Sequence, residues 1–383
     1  MKPSLTYVCL QTTQPGQAAH AHVYEIIRGL KRRGWSVRLV QPTVRLDASA
    51  STGERRLTAV IGKVLAFFSC QLPVLFQPLP NAFYIRHHFA SLVTVVWARL
   101  RRRPVYVEVN GPYEDLFIAW PSARKARAPL TWMLRTQLRL ATSVIAVTPQ
   151  LADWAKREGG HCRVEVIPNG ANTELFRPQS EHAPAPADKA PTLDTPYVLF
   201  FGALAPWQGI HSMLFASQLP TWPSDTRLVV VGEGEMFDAV RDMARMDARV
   251  KALGKVAYEE LPTLISSALV TLSVQTNLGG RSSTGLFPLK LFESLACGTP
   301  VIVSDFPGMA DFVRTHGCGV VISPDCPEEI AEVVKRLREN PDVARQMGTR
   351  GMIEVQRNHS WDARAAATAE VIAYGLKAAG GRT

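Results

Sequence analysis

The stretch TGLFPLKLFESLACGTPVIVSD (284–305) reads as a turn, a short amphipathic helix, a Gly-Thr-Pro turn and a buried strand. Pro288 suits the first helical position, because it has no N–H to lose there and its φ is already helical. The amides of Leu289, Lys290 and Leu291 are then free at a helix N-terminus, where partial positive charge favours a phosphate. Lys290 adds a full positive charge at that end, which is unfavourable without an anion nearby. Glu293 follows three residues on, on roughly the same face. An ordinary helix start carrying a solvated Lys-Glu pair fits the segment equally well.

The same strand-then-helix alternation runs outward through the chain and predicts parallel sheets with crossover helices. In the first half the expected strands are Tyr7–Leu10, Ser36–Val40, Phe83–Ile85, Val105–Val109, Val144–Val147 and Val164–Ile167. Val23, Ile26, Ile27 and Leu30 give 22–33 a helical period. The second half repeats the design with Tyr197–Phe201, Arg227–Val231, Val250–Leu253, Val270–Val274, Val301–Ser304 and Gly319–Ile322. The Pro- and Ala-rich run 178–196 reads as an exposed connection between two domains, 1–177 and 197–358. The tail 359–383 reads as a helix capped by Ser360, with Val371, Ile372 and Leu376 as its apolar stripe. Ligands of such sheets bind at the carboxyl ends of the strands. Gly202, Gly232 and Gly234 stand at strand ends where backbone must turn tightly or approach a ligand, and Gly16 stands in the loop after the first strand.

A length of 383 residues fits two domains, and 46% hydrophobic with 20% charged residues fits a globular chain. The six cysteines form no CxxC pair, which points to a reduced, cytoplasmic compartment with no metal site. The N-terminus reads as a first strand rather than a signal peptide, and the apolar run Val64–Phe76 is too broken to span a bilayer. Net charge is +10, but residues 1–180 hold 24 Lys and Arg against 10 Asp and Glu, so that half carries +14 and the rest −4. Clusters at 31–33, 99–103 and 124–127 on one domain favour an anionic partner, membrane headgroups or a phosphorylated substrate. No nucleic-acid module accompanies them.

VIPNGANTELFRP (166–178), FFGALAPWQGIHSML (200–214), VVVGEGEMFDAV (229–240), LGKVAYEELPTLISSALVTLSV (253–274) and the opening helix occur in an order and spacing that resembles the family 4 retaining glycosyltransferases. The resemblance covers nearly the full length. It implies the GT-B fold: α/β, with two Rossmann-like domains facing across a cleft and a C-terminal helix crossing back to the first. It also implies sugar transfer from a nucleotide diphosphate donor with retention, without an essential metal or other cofactor. The C-terminal domain would hold the donor, through Gly202, Gly232, Gly234, Val256, Gly285, Leu289 and Leu291, with Gly16 facing it from the first domain. Glu293 matches the carboxylate expected on the donor ribose. The +14 half and the apolar segment 57–80 suggest an acceptor that is a lipid-linked or other growing glycan, met in the cytoplasm or on the inner face of the cell membrane.

The chain departs from the family pattern at three positions. The first carboxylate of the E-x7-E motif is Gly285, as in a branch carrying PLKxFE, and the usual Arg and Lys fall on Ala203 and Gln208. Catalysis is then expected from Lys290, Glu293 and Gln208, with the backbone amides stabilising the diphosphate. On the acceptor side Glu108, Asn110 and His87 are candidates, although Asn110-Gly111 is also a turn signal. His88, His20 and His22 rank behind them. A non-catalytic GT-B protein that binds a nucleotide sugar is the alternative, and a sugar-nucleotide epimerase is disfavoured by the missing carboxylate. The lack of a GxGxxG after the first strand argues against a nicotinamide dehydrogenase.

Overall fold

The structure, a computed structural model, describes residues 2–13, 18–42, 62, 64–160, 163–179, 195–277 and 281–380. The chain divides into two compact units, Met1–Pro168 with Ala365–Thr383, and Asn169–Arg364. Most of the Pro- and Ala-rich run, 180–194, and the Gly16 loop lie outside the described residues.

In the first unit six parallel strands, β1 (Ser4–Val8), β2 (Ser36–Val40), β3 (Ala82–Arg86), β4 (Val105–Val109), β5 (Ser143–Ala146) and β6 (Val164–Val166), lie in the order β2-β1-β3-β4-β5-β6. The order reverses direction at β1. Right-handed crossovers therefore put the helix Ala18–Arg32 on one face and the later helices Leu92–Leu100, Arg127–Leu140 and Pro149–Gly159 on the other. The period of two then sorts the side chains. Val105, Val107 and Val109 face the later helices and join Val95, Ala98, Leu134 and Leu138 in one core. Tyr106 and Glu108 face the opposite way. Strand register aligns Tyr7, Tyr84 and Tyr106 in a row across β1, β3 and β4, with Arg86 directly opposite Glu108. All three tyrosines and Glu108 are fully buried.

The tail helix, Trp361–Gly380, starts as the sequence predicts. The Ser360 hydroxyl accepts from the Ala363 amide at 3.0 Å. From Ala365 onward the helix belongs to the first unit, where the Tyr106 hydroxyl donates to the Ile372 carbonyl at 3.0 Å.

The second unit repeats the plan with β7 (Tyr197–Phe201), β8 (Arg227–Val231), β9 (Val250–Gly254), β10 (Val270–Ser273), β11 (Val301–Ser304) and β12 (Gly319–Ile322), all parallel, in the order β12-β11-β10-β7-β8-β9. Alternation again divides the core. Val198, Phe200, Leu228 and Val230 pack on one face; Leu199, Phe201, Val229 and Val231 pack on the other, against Leu291, Phe292 and Leu295 of the helix Leu289–Ala296. The strand order reverses between β7 and β10, and that helix returns from β10 to β11 beside the reversal. Such a reversal opens a crevice outside the strand ends.

One expectation shifts by a residue. Pro288 is the cap and not the first helical residue: its ψ of 144° is extended, and its carbonyl accepts from the Leu291 amide at 3.2 Å. Leu286 is held extended by a bridge to Gly308, so the chain reaches Pro288 still extended and the helix begins at Leu289. The Leu291 amide is therefore engaged, and Leu289 and Lys290 are the residues whose amides start the helix without an acceptor one turn back.

Candidate active site

Lys290, in the first turn of its helix, extends over the end of β7. Its Nζ lies 3.9 Å from the centroid of the Phe200 ring and donates to Gln208 Oε1 at 2.8 Å. Gln208 comes from the short 3-10 turn Pro206–Gln208, which is tied to the end of β10 by the Thr276 amide donating to the Trp207 carbonyl at 3.0 Å. The two sides of the reversal are thus joined by Lys290 and this turn, three elements that the sequence separates by up to 82 positions.

Backbone without side chains forms the floor. A Cβ on Gly232 would stand 1.9 Å from the Gly202 carbonyl oxygen, and its φ of 139° already excludes ordinary side chains. A Cβ on Gly202 would meet the Lys290 ammonium at 3.4 Å, and one on Gly234 would meet the Leu204 carbonyl. Gly285 is left-handed at φ 78° and leads into the extended Leu286. Val256, half-buried, packs with Tyr258 against the face that holds the helix. Gln208, Lys290, Glu293, the three strand-end glycines and the Leu289 amide therefore converge on one strand-end crevice.

Burial sets the charge state here. Loss of solvent pulls the Lys290 ammonium down to about 7, although Glu293 pulls it up. Loss of solvent pushes the Glu293 carboxyl up to about 7, against the hydroxyl of Tyr258, which donates to Oε1 at 2.8 Å, and against Lys290. Stability should therefore depend on pH in two opposed windows. Glu293 holds its proton more tightly folded than unfolded, so its contribution is complete below its ordinary value of 4.5 and is lost as pH rises through about 7. Lys290 holds its proton less tightly folded, so its contribution is complete above its ordinary value of 10.5 and is lost as pH falls through about 7. We expect a local minimum in unfolding free energy near pH 7, read by urea titration from pH 5 to 9.5. Glu293→Gln should abolish the limb below neutrality; a curve unchanged by that substitution would sink the assignment.

The loop before the helix is held from the start of the unit. Asn169 Nδ2 donates to the Phe287 carbonyl at 2.8 Å. Gly170 cannot carry a side chain, because its Cβ would lie 2.5 Å from the His359 carbonyl oxygen. Ala171 exchanges backbone bonds with His359 and Trp361 at 2.9 Å each. His359 in turn stacks on Phe292, 5.2 Å between centroids. The Asn-Gly of the sequence is thus more than a turn: its amide fixes the approach to Pro288. Asn169→Ala leaves that carbonyl without its partner and should cost about 1–3 kcal/mol in chemical denaturation. Asn169→Asp, which cannot donate, should fare no better, and a variant as stable as the parent would remove the role.

In the first unit the acceptor-side candidates fall into two groups. Glu108 is completely buried at the carboxyl end of β4. Tyr84 donates to its Oε2 at 2.5 Å, Arg86 Nη1 lies 3.4 Å from Oε1, and Asn110 donates to the same oxygen. His22 Nδ1 stands 3.3 Å from Oε1 and 2.9 Å from Arg86 Nη1. Burial, then the Glu108 charge, push the Tyr7 hydroxyl well above its usual range, so it stays a donor. Glu108 and Asn110 are therefore one cluster. His87 is outside it: its Nε2 bonds the Leu134 carbonyl at 3.1 Å, and burial lowers it to about 4, so it is a neutral donor to a helix backbone. His88 is lowered to about 3 by burial and by His87, and its Nδ1 accepts from the Ala90 amide.

Arg86, Tyr84, Tyr258 and Asn169 are missing from the sequence-based list. Arg86 could have been found from its place just after the predicted strand Phe83–Ile85, as Glu108 stands next to last in the predicted strand Val105–Val109. Tyr258 and Asn169 act through partners 35 and 118 positions away, which no local pattern carries. Among the described residues, no group of three or more His, Cys, Asp and Glu is placed to hold a metal.

With this geometry in hand, comparison with known proteins is specific. The family described as Glycosyltransferase Family 4 matches residues 19–175, and the one described as Glycosyl transferases group 1 matches residues 185–352. A GDP-mannose-dependent monoacylated alpha-(1-6)-phosphatidylinositol monomannoside mannosyltransferase of Corynebacterium glutamicum is 27% identical over 243 residues, 60% of this chain and 62% of that one. The chain thus spans under two thirds of that relative's length. Sucrose-phosphate synthase from Thermosynechococcus elongatus superposes with a TM-score of 0.77 at 20% identity, covering 98% of this chain and all of the other. Anabaena HepE, solved in complex with UDP, superposes with 0.69 at 17% identity, covering 97% and 100%. At such identities the structural likeness establishes the fold, two parallel-sheet α/β units of the GT-B kind.

Proposed function

Because the chain carries a family 4 and a group 1 glycosyltransferase domain, we propose that it moves a sugar, with retention, from a nucleoside diphosphate donor to a lipid-linked or glycan acceptor at a cytoplasmic, anionic membrane surface. The observation that carries this reading is the half-buried ammonium of Lys290 at the reversal of the second sheet, above bare glycine backbone and beside the helix N-terminus. A diphosphate leaving group gains charge as the glycosidic bond breaks, and a cation fixed in low dielectric stabilises that charge most where it is greatest. Gln208 receives one Lys290 hydrogen on its carbonyl oxygen, which leaves its NH2 to donate to a phosphate oxygen. Glu293, oriented by Tyr258, is the acceptor for ribose hydroxyls. No metal is needed in this scheme, since Lys290 and the amides supply the compensation. The donor named for the Corynebacterium relative is GDP-mannose and the HepE complex holds UDP, so both bases belong in the first screen.

The test is a panel of UDP-, GDP- and other nucleoside diphosphate sugars. Binding of a member raises the melting temperature by mass action. The member that binds is then incubated with membrane lipid extract and the transfer of labelled sugar is followed. The absence of side-chain charge at Ala203, Gln208 and Gly285 favours one second reading, a GT-B protein that binds a nucleotide sugar without turning it over. Binding with neither hydrolysis nor transfer would select that reading, and no binding by any member would end both.

A further inference from the structure

The outer face of the first unit carries a surface that the sugar chemistry does not use. The helices Leu72–Phe76, Leu92–Leu100 and Arg127–Leu140, which follow β2, β3 and β4, lie on one side of the sheet, and their inner ridges fill one core. Gln71 joins two of them, its amide donating to the Ala90 carbonyl and its oxygen accepting from Thr94 at 2.6 Å. Gln137 joins the third, donating to the His88 carbonyl at 2.9 Å. Each of their outward faces carries a large apolar side chain where solvent should favour polar residues. Phe76 is 86% exposed, Leu100 74%, Trp132 60% and Leu72 54%. Val96 continues the row on the helix that ends in Leu100.

Cations frame this strip. Residues 92–140 hold nine Lys and Arg against three carboxylates, of which Glu108 is fully buried on the other face of the sheet. Arg99, Arg101, Arg102, Arg127 and Arg139 are exposed, and none makes an ion pair among the described residues. The Arg101 and Arg127 guanidinium groups lie over Trp97 and Phe117 at 5.2 and 5.5 Å, and the Arg127 charge also acts on the Glu114 carboxylate. A polyanion in water would meet the arginines and leave Leu100 and Phe76 wet. A folded acidic partner would leave them wet at its rim. An anionic bilayer accepts both, because arginine heads reach phosphates while tryptophan and aliphatic side chains enter the headgroup boundary. Among the described residues no helix is long and apolar enough to cross the membrane, so the contact is made by a surface.

We propose that this helical face, centred on Leu100, Trp132 and Arg99–Arg102, is where the protein lies on an anionic lipid bilayer, its helices parallel to the membrane plane. The assignment rests on the membrane-surface part of the reading above, and the two can fail separately. The probes are sedimented vesicles of phosphatidylcholine with 30% phosphatidylglycerol and vesicles of phosphatidylcholine alone. The wild-type protein should bind the first, less so as salt rises, and bind the second weakly. Replacing Arg99, Arg101 and Arg102 by Gln should weaken binding roughly fivefold for each charge. Leu100→Ser with Trp132→Ser should weaken binding at high salt, where the charge contribution is screened. Both variants must keep the parental melting temperature and nucleotide response, which the second unit supplies. Failure of the wild type to bind anionic vesicles would remove the membrane reading itself. Wild-type binding that neither variant reduces would place the contact elsewhere. Capture by heparin without vesicle binding would make the partner a soluble polyanion and overturn the proposal.

Discussion

Lys290→Ala should lower kcat/KM for the donor by about 10²–10³, the range seen when one preorganised group that stabilises developing negative charge is removed. The expectation is at the large end because the chain has no charged side chain at 203 or 208 to share the load. Lys290→Arg should not rescue. The ammonium already sits 3.9 Å from the Phe200 ring, with Gly202 so close that even a Cβ there would touch it. A planar guanidinium needs more room than that and presents its donors in a fixed fork. The substitution should also change the proton count of binding. Burial holds the empty-site ammonium down to about 7, so at pH 8 much of it is neutral, and a bound diphosphate restores its charge. Calorimetry at pH 8 in two buffers of different ionisation enthalpy should therefore find protons taken up with the donor, and Lys290→Ala should abolish that uptake. A variant with near-normal turnover and donor affinity would leave the diphosphate to the amides alone.

Most of this architecture was legible because strand signals are local. Ser36–Val40, Val105–Val109, Tyr197–Phe201, Arg227–Val231, Val301–Ser304 and Gly319–Ile322 appear with the boundaries that their apolar runs predict. Buried parallel strands are short continuous apolar stretches between turn residues, and no tertiary term works against them. The site was half legible. Glycines at strand ends announce close backbone approach, and a lysine at a helix start demands an explanation. What stayed hidden was who meets whom. The contact of Lys290 with Phe200 and Gln208 depends on β10 lying beside β7, a pairing made across about seventy residues. The one-residue displacement of Pro288 has the same origin, since the bridge from Leu286 to Gly308 is set by tertiary packing and not by the helix.

Glu108→Gln tests the other unit, and we expect it to destabilise by about 3–5 kcal/mol, the cost of removing one partner from a buried ion pair. The substitution keeps the shape and takes away the charge. Arg86, with only 14% of its side chain exposed, then loses the carboxylate that faces it across the β3–β4 ladder. A second conflict adds to the first. The Tyr84 and Tyr7 hydroxyls both point at Oε2, and an amide NH2 placed there would set donor against donor, while the flipped amide would turn its NH2 on Arg86 and Asn110. Either orientation leaves a buried polar group unmatched. Urea unfolding measures the loss, and Arg86→Met in the same chain should recover part of it, because the two residues are coupled rather than additive. This outcome separates two roles for the carboxylate. If Glu108 is the anchor that orders Arg86 and Asn110 at the carboxyl ends of β3 and β4, stability falls and the acceptor KM rises with the disorder of those two side chains. If it meets the acceptor directly, Glu108→Gln should stay as stable as the parent and lose turnover instead. Complete burial and contacts from five side chains favour the anchor.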